Sequence, residues 1–336
     1  MHLLQSEEAR SECRNLMIPQ RHIISAQGNS PSIGLVQDSL LASMKFTKGE
    51  TMFERDKLCN LLMWMKSWDG KIPEPEVKEP KELWSGRQVF SLLLPQMNYT
   101  KKSNSSNPKN EMVEIIKGSL KNGVIDKKTV GKSANSLIHV IFNDYGPDAV
   151  TDFINDLQLV VNYWLLHDGS SIGLSDMIGP REAMIKINDI INTANENVKV
   201  LSDDLKNDRI KSLPGKTIIE TFEDLVKGEL SGIQDDIVSI IQNSLPDSNN
   251  LKQMMESGSK GKELNMFRII GCVGQQAVKG KIIGKGFKDR TLPFYKRNDM
   301  SIEGRGFVKS SYIKGLNPRE FYFHAMSKFT AHKSKY

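Results

Sequence analysis

The chain runs to 336 residues, 38% hydrophobic and 26% charged, with a formal net charge of +6. That length suits two or three domains, each able to bury a core, and the composition is that of a globular chain rather than a disordered one. No apolar run nears the roughly 20 residues of a membrane-spanning helix; the longest candidates are 89–95 and 157–166.

In chain order, Ser6 ahead of Glu7 and Glu8 is a helix start, a capping hydroxyl before first-turn acids, and predicts a helix to about Met17. Residues 22–45 alternate around "QGNSP" and predict short strands or a sheet-to-helix corner. "TMFERDKLCNLLMWMK" puts Phe53, Leu58, Leu61, Leu62 and Met65 at helical spacing. "KIPEPEVKEPKELWSG" reads as a charged surface connection, "GRQVFSLLLP" as a buried strand or short helix, and "NYTKKSNSSNPKNE" as an exposed loop. Strand-like runs follow at 112–116, 123–125 and 136–142. From Pro147 the pattern is helical to Leu166, and again over 182–205 and 216–243. The predicted class is α+β, mixed and β-rich up to about residue 165 and mostly helical beyond it.

The charge is uneven. Residues 258–336 hold 17 Lys+Arg and 5 Asp+Glu, while the first 257 residues are mildly acidic. A basic third on an acidic body points to an anionic partner, with solvated surface lysine as the plain alternative. "SGSKGKE" (257–263) sets a lysine between two glycines, a pattern that lets backbone and cation approach an anion. Gly131-Lys132-Ser133 ends like a phosphate-binding P-loop, but the motif needs a glycine five positions earlier, where the chain has Asp126. The six histidines show no ligand spacing, and no serine–histidine–acid set follows from spacing. Cys13, Cys59 and Cys272 form no C-x-x-C pair and read as reduced thiols of an intracellular protein, not as zinc ligands. "MHLLQSEEAR" has no basic region followed by an apolar stretch, so no secretory leader is expected and the sequons at Asn98 and Asn104 are set aside.

Residues 249–293 carry "GSKG", then "CVGQQ", then "RTLP", and Gly306–Met326 reads "GFVKSSYIKGLNPREFYFHAM". Together these resemble the largest subunit of multisubunit DNA-directed RNA polymerases of the RNA polymerase II, archaeal and large-DNA-virus type. "GLVQDSLLA", "LWSGRQ", "KKTVGKS", "LIHV" and "VNYWLLHDGSSIGLSD" are similar to its pore and funnel segments, in the same order. The likeness covers 1–326. The family's aspartate loop for catalytic magnesium is expected to lie before Met1, and 327–336 does not match and is expected to be disordered. The resemblance therefore implies a middle piece. It would comprise the end of the active-site domain (1–30), a pore domain (31–165), a funnel domain (166–304), the start of a bridge helix (305–326) and a tail (327–336).

The resemblance also implies roles. Lys260 would reach the triphosphate of the incoming NTP, with Ser259, Gly258 and Gly261 around it; phosphoryl transfer depends on such positioning and neutralisation of charge. Lys127 and Lys128 would line the pore where backtracked RNA emerges, with solvated-face charge as the alternative. Cys272–Gln276 would form a helix behind the bridge helix, with Gln275, Gln276 and Arg268 as its support, in the region where cyclic-peptide toxins bind some members. Arg268 and Ala277 stand where a glutamine and a serine are common. Phe321, Tyr322, Phe323, His324 and Met326 would begin the bridge helix. The implied partners are the second-largest and other polymerase subunits, template DNA, RNA transcript, NTP and a transcript-cleavage factor, with no membrane. Mg2+ would be held by ligands outside this chain, which alone would be inactive. The location would be nuclear in a eukaryotic cell, or cytoplasm or virion for a large DNA virus. The rival reading is a non-catalytic, stand-alone fragment that binds polymerase subunits or RNA.

Overall fold

The computed structural model describes residues 2–278 and 281–333. The chain divides into two compact units, Met1–Ser171 with Lys252–Gly261, and Ile172–Leu251 with Lys262–Tyr336.

The first unit opens with helix α1 (Glu7–Asn15), whose Ser6 side chain accepts the Ala9 N–H as anticipated. Strands β1 (Ile24–Ser25) and β2 (Ser30–Pro31) pair antiparallel. Of the two alternatives for 22–45, the sheet-to-helix corner is the one present, because residues 38–45 belong to α2 (Asp38–Phe46). Its Leu40, Leu41, Ala42, Ser43, Met44 and Phe46 are all buried, so no polar face marks the helical period. Then come β3 (Met52–Phe53), α3 (Arg55–Leu62), β4 (Trp84–Ser85) and α4 (Gly86–Ser91). The last begins on a capping box between Ser85 and Gln88, which settles "GRQVF" as helix.

A three-stranded antiparallel sheet follows, β5 (Tyr99–Lys102), β6 (Met112–Ile116) and β7 (Ser119–Asn122), in register Tyr99↔Ile115 and Ile115↔Leu120. Val113 and Ile115 alternate inward along β6, the period of two that a half-buried strand requires. β5 lies in the stretch expected as loop. Its Tyr99 is buried and donates its hydroxyl to the Asn135 carbonyl at 3.0 Å. Gly123–Ile125, expected as strand, lies past the end of β7. Helix α5 (Lys127–Val130) leads to α6 (Leu137–Tyr145) and α7 (Pro147–Asp168). Residues 136–142, apolar and β-branched, have the composition of the expected strand but fold as helix. Ser136 caps α6 by accepting the His139 N–H, and Leu137, Ile138 and Ile141 are buried in the core that α7 shares. Phe46 centres that core, 5.3 Å from the Phe53 ring and 5.5 Å from the Trp164 ring.

The second unit is built on α8 (Arg181–Lys206) and α9 (Ile218–Ser244). Ile187, Ile191, Ala194 and Val198 on α8, and Phe222, Val226, Leu230, Ile233 and Ile237 on α9, recur every three or four residues and are buried. Helix α10 (Asn250–Glu256) carries the chain from one unit to the other. Beyond it lie α11 (Glu263–Met266), a π-helical turn (Phe267–Gly271), and strands β8 (Gly274–Gln275), β9 (Ala277–Val278), β10 (Lys281–Ile282) and β11 (Phe307–Val308). Helix α12 (Pro318–Lys333) ends the described chain. Residues 327–333, expected to be disordered, continue this helix; 334–336 lie outside the described residues. The fold is α+β, with small sheets among long helices. No described helix is long and apolar enough to cross a membrane.

Candidate functional site

The glycine–lysine loop belongs to the first unit. Ser257 is fully buried, and its Oγ lies 2.9 Å from the Met254 carbonyl and 3.0 Å from the Ser259 Oγ. Ser259 Oγ lies 3.0 Å from the same carbonyl. These two hydroxyls close the loop onto the last turn of α10, so Ser259, expected to face a phosphate, already has an internal partner. Gly258 and Gly261 sit at φ +73° and +85°, the left-handed region open to glycine. Lys260, between them, is exposed.

The loop rests on α5. The Lys127 N–H donates to the Ser257 carbonyl at 3.1 Å. Helix α5 is in turn capped by Asp126, the residue that breaks the P-loop pattern. Asp126 is fully buried; Oδ1 accepts the N–H groups of Lys128 (3.0 Å) and Thr129 (3.1 Å), and Oδ2 that of Asn104 (2.7 Å). Burial pushes its carboxyl above the usual range, and these hydrogen bonds oppose that push. Glu256 accepts from the backbone and hydroxyl of Ser106. The polar loop around Asn104 is thus tied at two points. Lys127 is exposed and Lys128 half-buried, its Nζ 3.5 Å from the Ser103 carbonyl. The structure therefore brings Lys127, Lys128 and the Lys260 loop together in one unit.

The remaining site residues lie in the second unit. Cys272–Gln276, expected as a helix, is extended; the helical turn ends at Gly271, and β8 pairs with β11 in register Phe307↔Gln275. Gln275 Nε2 donates to the carbonyls of Gln276 and Arg305, each at 2.9 Å. Gln276 Oε1 lies 3.1 Å from His324 Nδ1, and His324 Nε2 lies 3.3 Å from the Tyr312 hydroxyl. Burial, then Lys328 and Arg268, hold the His324 imidazole below its ordinary pKa. A neutral ring donating from Nδ1 and accepting at Nε2 satisfies both contacts. The Arg268 carbonyl accepts the Tyr312 N–H at 3.0 Å. Arg268 Nε and Gln275 Oε1 are buried without a hydrogen-bond partner among the described residues. Both residues line a cavity of about 150 Å³ with Phe267 and Gln234.

Of the helix-start residues, Phe323 is buried with Ile283, Leu292 and Tyr295. Phe321 and Tyr322 are 59% and 52% exposed and Met326 is at the surface, so the apolar run has one packed face. Sequence reasoning missed Glu320, Asn317 and Tyr312. The signal for the first two is Asn317-Pro-Arg-Glu320, a capping-box spacing; nothing marks Tyr312. Among the described residues, no three His, Cys, Asp or Glu side chains are grouped to hold a metal.

Two family profiles match the chain, one after the other. The family profile described as RNA polymerase Rpb1, domain 3, matches residues 22–177, which include Lys127 and Lys128. That described as RNA polymerase Rpb1, domain 4, matches 201–308, which include Lys260, Arg268, Gln275 and Gln276. The chain is 34% identical over 330 residues to the DNA-directed RNA polymerase II subunit RPB1-B of Trypanosoma brucei brucei, an alignment covering 97% of this chain and 19% of that protein. It thus spans about a fifth of the relative's length. With the two profiles covering most of the sequence, the chain belongs to the family of the largest subunits of DNA-directed RNA polymerases.

Proposed function

We propose that this chain works within a DNA-dependent RNA polymerase as the part that receives the incoming nucleotide, with Lys260 neutralising its triphosphate. The observation that carries the reading is the exposed Lys260 between two left-handed glycines, on a loop hydrogen-bonded to α5 beside Lys127 and Lys128. A lysine there offers a compact charge to phosphate oxygens, and the glycines leave room for a ligand to approach. Lys127 and Lys128 would meet RNA displaced backward through the pore. Gln275, Gln276 and Arg268 would support the helix beginning at Pro318. Template DNA, transcript, the second-largest and other polymerase subunits, and a cleavage factor are the proposed partners, and the nucleus the proposed location. Mg2+ would supply charge neutralisation at the reacting phosphate. Its ligands would lie outside this chain, as the resemblance implies.

The test is single-nucleotide addition by an assembled polymerase carrying Lys260→Ala, with Lys262→Ala as control. Lys260→Ala should lower kcat/KM roughly ten- to a hundredfold, mainly through KM, as loss of one charge-assisted contact requires. Lys260→Arg should restore part of it, because the planar head cannot occupy the same point. Equal behaviour of Lys260→Ala and Lys262→Ala would sink the phosphate role.

A further inference from the structure

The N–H groups of Lys309 and Ser310, just past β11, both donate to Glu320 Oε1, at 3.0 and 3.1 Å. Oε2 accepts the Asn317 N–H at 3.0 Å, and Asn317 Oδ1 accepts the Glu320 N–H at 3.0 Å. Glu320 is only 8% exposed. The pair with Asn317 is a capping box and needs no purpose beyond starting α12. The pair with Lys309 and Ser310 goes further, because those residues lie outside the helix. On its other edge the same segment is bonded to the π-turn region. The Ser310 carbonyl accepts the Val273 N–H at 3.0 Å, and the Tyr312 and Ile313 N–H groups reach the Arg268 and Ile269 carbonyls at 3.0 and 3.3 Å. Glu320 thus ties the start of α12 to a segment otherwise anchored to residues 268–273, and further along the helix His324 adds a second tie to that segment at the Tyr312 hydroxyl, 3.3 Å away. The Lys309 ammonium is taken by Glu303 at 2.7 Å, so Glu320 holds Lys309 by its backbone N–H and not by its charge.

We propose that Glu320 is a positioning residue for nucleotide addition. Its carboxylate sets the first turn of α12 against the Phe307–Ser310 segment, and so the direction in which the helix starts before Phe323 and His324 hold the next turn. The proposal rests on the polymerase reading above. A helix is a rigid lever rising 1.5 Å per residue, so a tilt of about 10° displaces a point ten residues on by roughly 2.6 Å. Misplacement of about 1 Å at a reacting centre can cost on the order of a hundredfold in rate.

Two measurements test it. In the chain alone, amide hydrogen exchange is followed at Lys309, Ser310 and Asn317. Glu320→Ala should speed exchange at all three by about tenfold, the loss of a charge-assisted bond at each. Asn317→Ala, which removes only the bond inside the helix's own cap, should leave Lys309 and Ser310 protected. Unchanged protection at Lys309 and Ser310 in Glu320→Ala overturns the tie, whatever the protein does. In the assembled polymerase, Glu320→Ala should lower kcat for single-nucleotide addition about tenfold with the nucleotide KM unchanged. Glu320→Gln should recover part of this, since its amide oxygen still accepts from Lys309 and Ser310, and Asn317→Ala should stay near wild type. A raised KM with kcat kept, or Asn317→Ala matching Glu320→Ala, reduces Glu320 to a helix cap and overturns the proposal. If an assembly with the wild-type segment adds no nucleotide, the polymerase reading fails, and the exchange data still decide whether the tie exists.

Discussion

Gly258 and the Lys127 stem share one space: a β-carbon on Gly258 would stand 2.6 Å from Lys127 Cβ and 2.9 Å from its Cδ. With the hydrogen bond from the Lys127 N–H to the Ser257 carbonyl, this makes the loop and α5 one surface. The lysines expected at the pore and the lysine expected at the nucleotide are therefore not independent. A change at either position is felt at the other.

Gly258→Ala should accordingly be costly twice, through its φ of +73° and through the collision with Lys127. We expect a loss of roughly 1–3 kcal/mol of stability. In a Lys127→Ala background the penalty should shrink only in part, because the β-carbon at 2.6 Å remains. Urea unfolding of the two single variants and the double variant measures this. Full relief in the double variant would show that the stem, not the β-carbon and backbone, sets the cost.

Legibility in the sequence followed periodicity. Helices α7, α8 and α9 were readable because their buried residues recur every three or four positions against a polar face. Helix α2 was legible only as one of two alternatives, a sheet-to-helix corner or short strands, since nearly every residue from Leu40 to Phe46 is buried and the period disappears. Residues 136–142 have the composition of a strand, and their helical state is decided by the Ser136 cap and by packing against α7. Strand β5 hides in a lysine-rich stretch whose only inward anchor is Tyr99.

The candidate site was legible where it depended on local residue type. Glycines flanking Lys260 announce positive φ, and the structure has it. What spacing could not give was the joining of residues 127 and 257, far apart in sequence, or the inward turn of Asp126. The resemblance led to a helix at Cys272–Gln276, whereas the chain there is strand because β11 pairs with it.

Cys272 offers a test of the second unit's packing. It is fully buried, and burial pushes its thiol up to about 12. The thiolate is the reactive form, so Cys272 should resist alkylation in the native protein. Cys13 and Cys59 are partly exposed and should label first with iodoacetamide. Mass spectrometry of native and urea-unfolded samples reads the order directly. Native labelling of Cys272 at the rate of Cys13 would contradict the packing of β8.

Asp126 gives the clearest pH dependence. Its carboxyl is raised by burial against the hydrogen bonds from Asn104, Thr129 and Lys128. A carboxyl raised in the folded state binds its proton more tightly there than in the unfolded chain. Its contribution is whole below the unfolded pKa, about 4, and is lost as pH rises through the folded pKa. Asp126→Asn removes that titration. It also sets an amide N–H2 against one of the backbone donors, costing roughly 1–3 kcal/mol for the mismatched buried group. The stability gap between wild type and Asp126→Asn should therefore be widest at acid pH, narrow as pH rises from about 4, and level off above the folded pKa. Urea midpoints taken across that range for both proteins supply the measurement. A gap that widens with pH would mean that the four hydrogen bonds accepted by the carboxylate, from Lys128, Asn104 and the backbone and hydroxyl of Thr129, outweigh its burial. Asp126 would then hold α5 and the lysine loop as an anion.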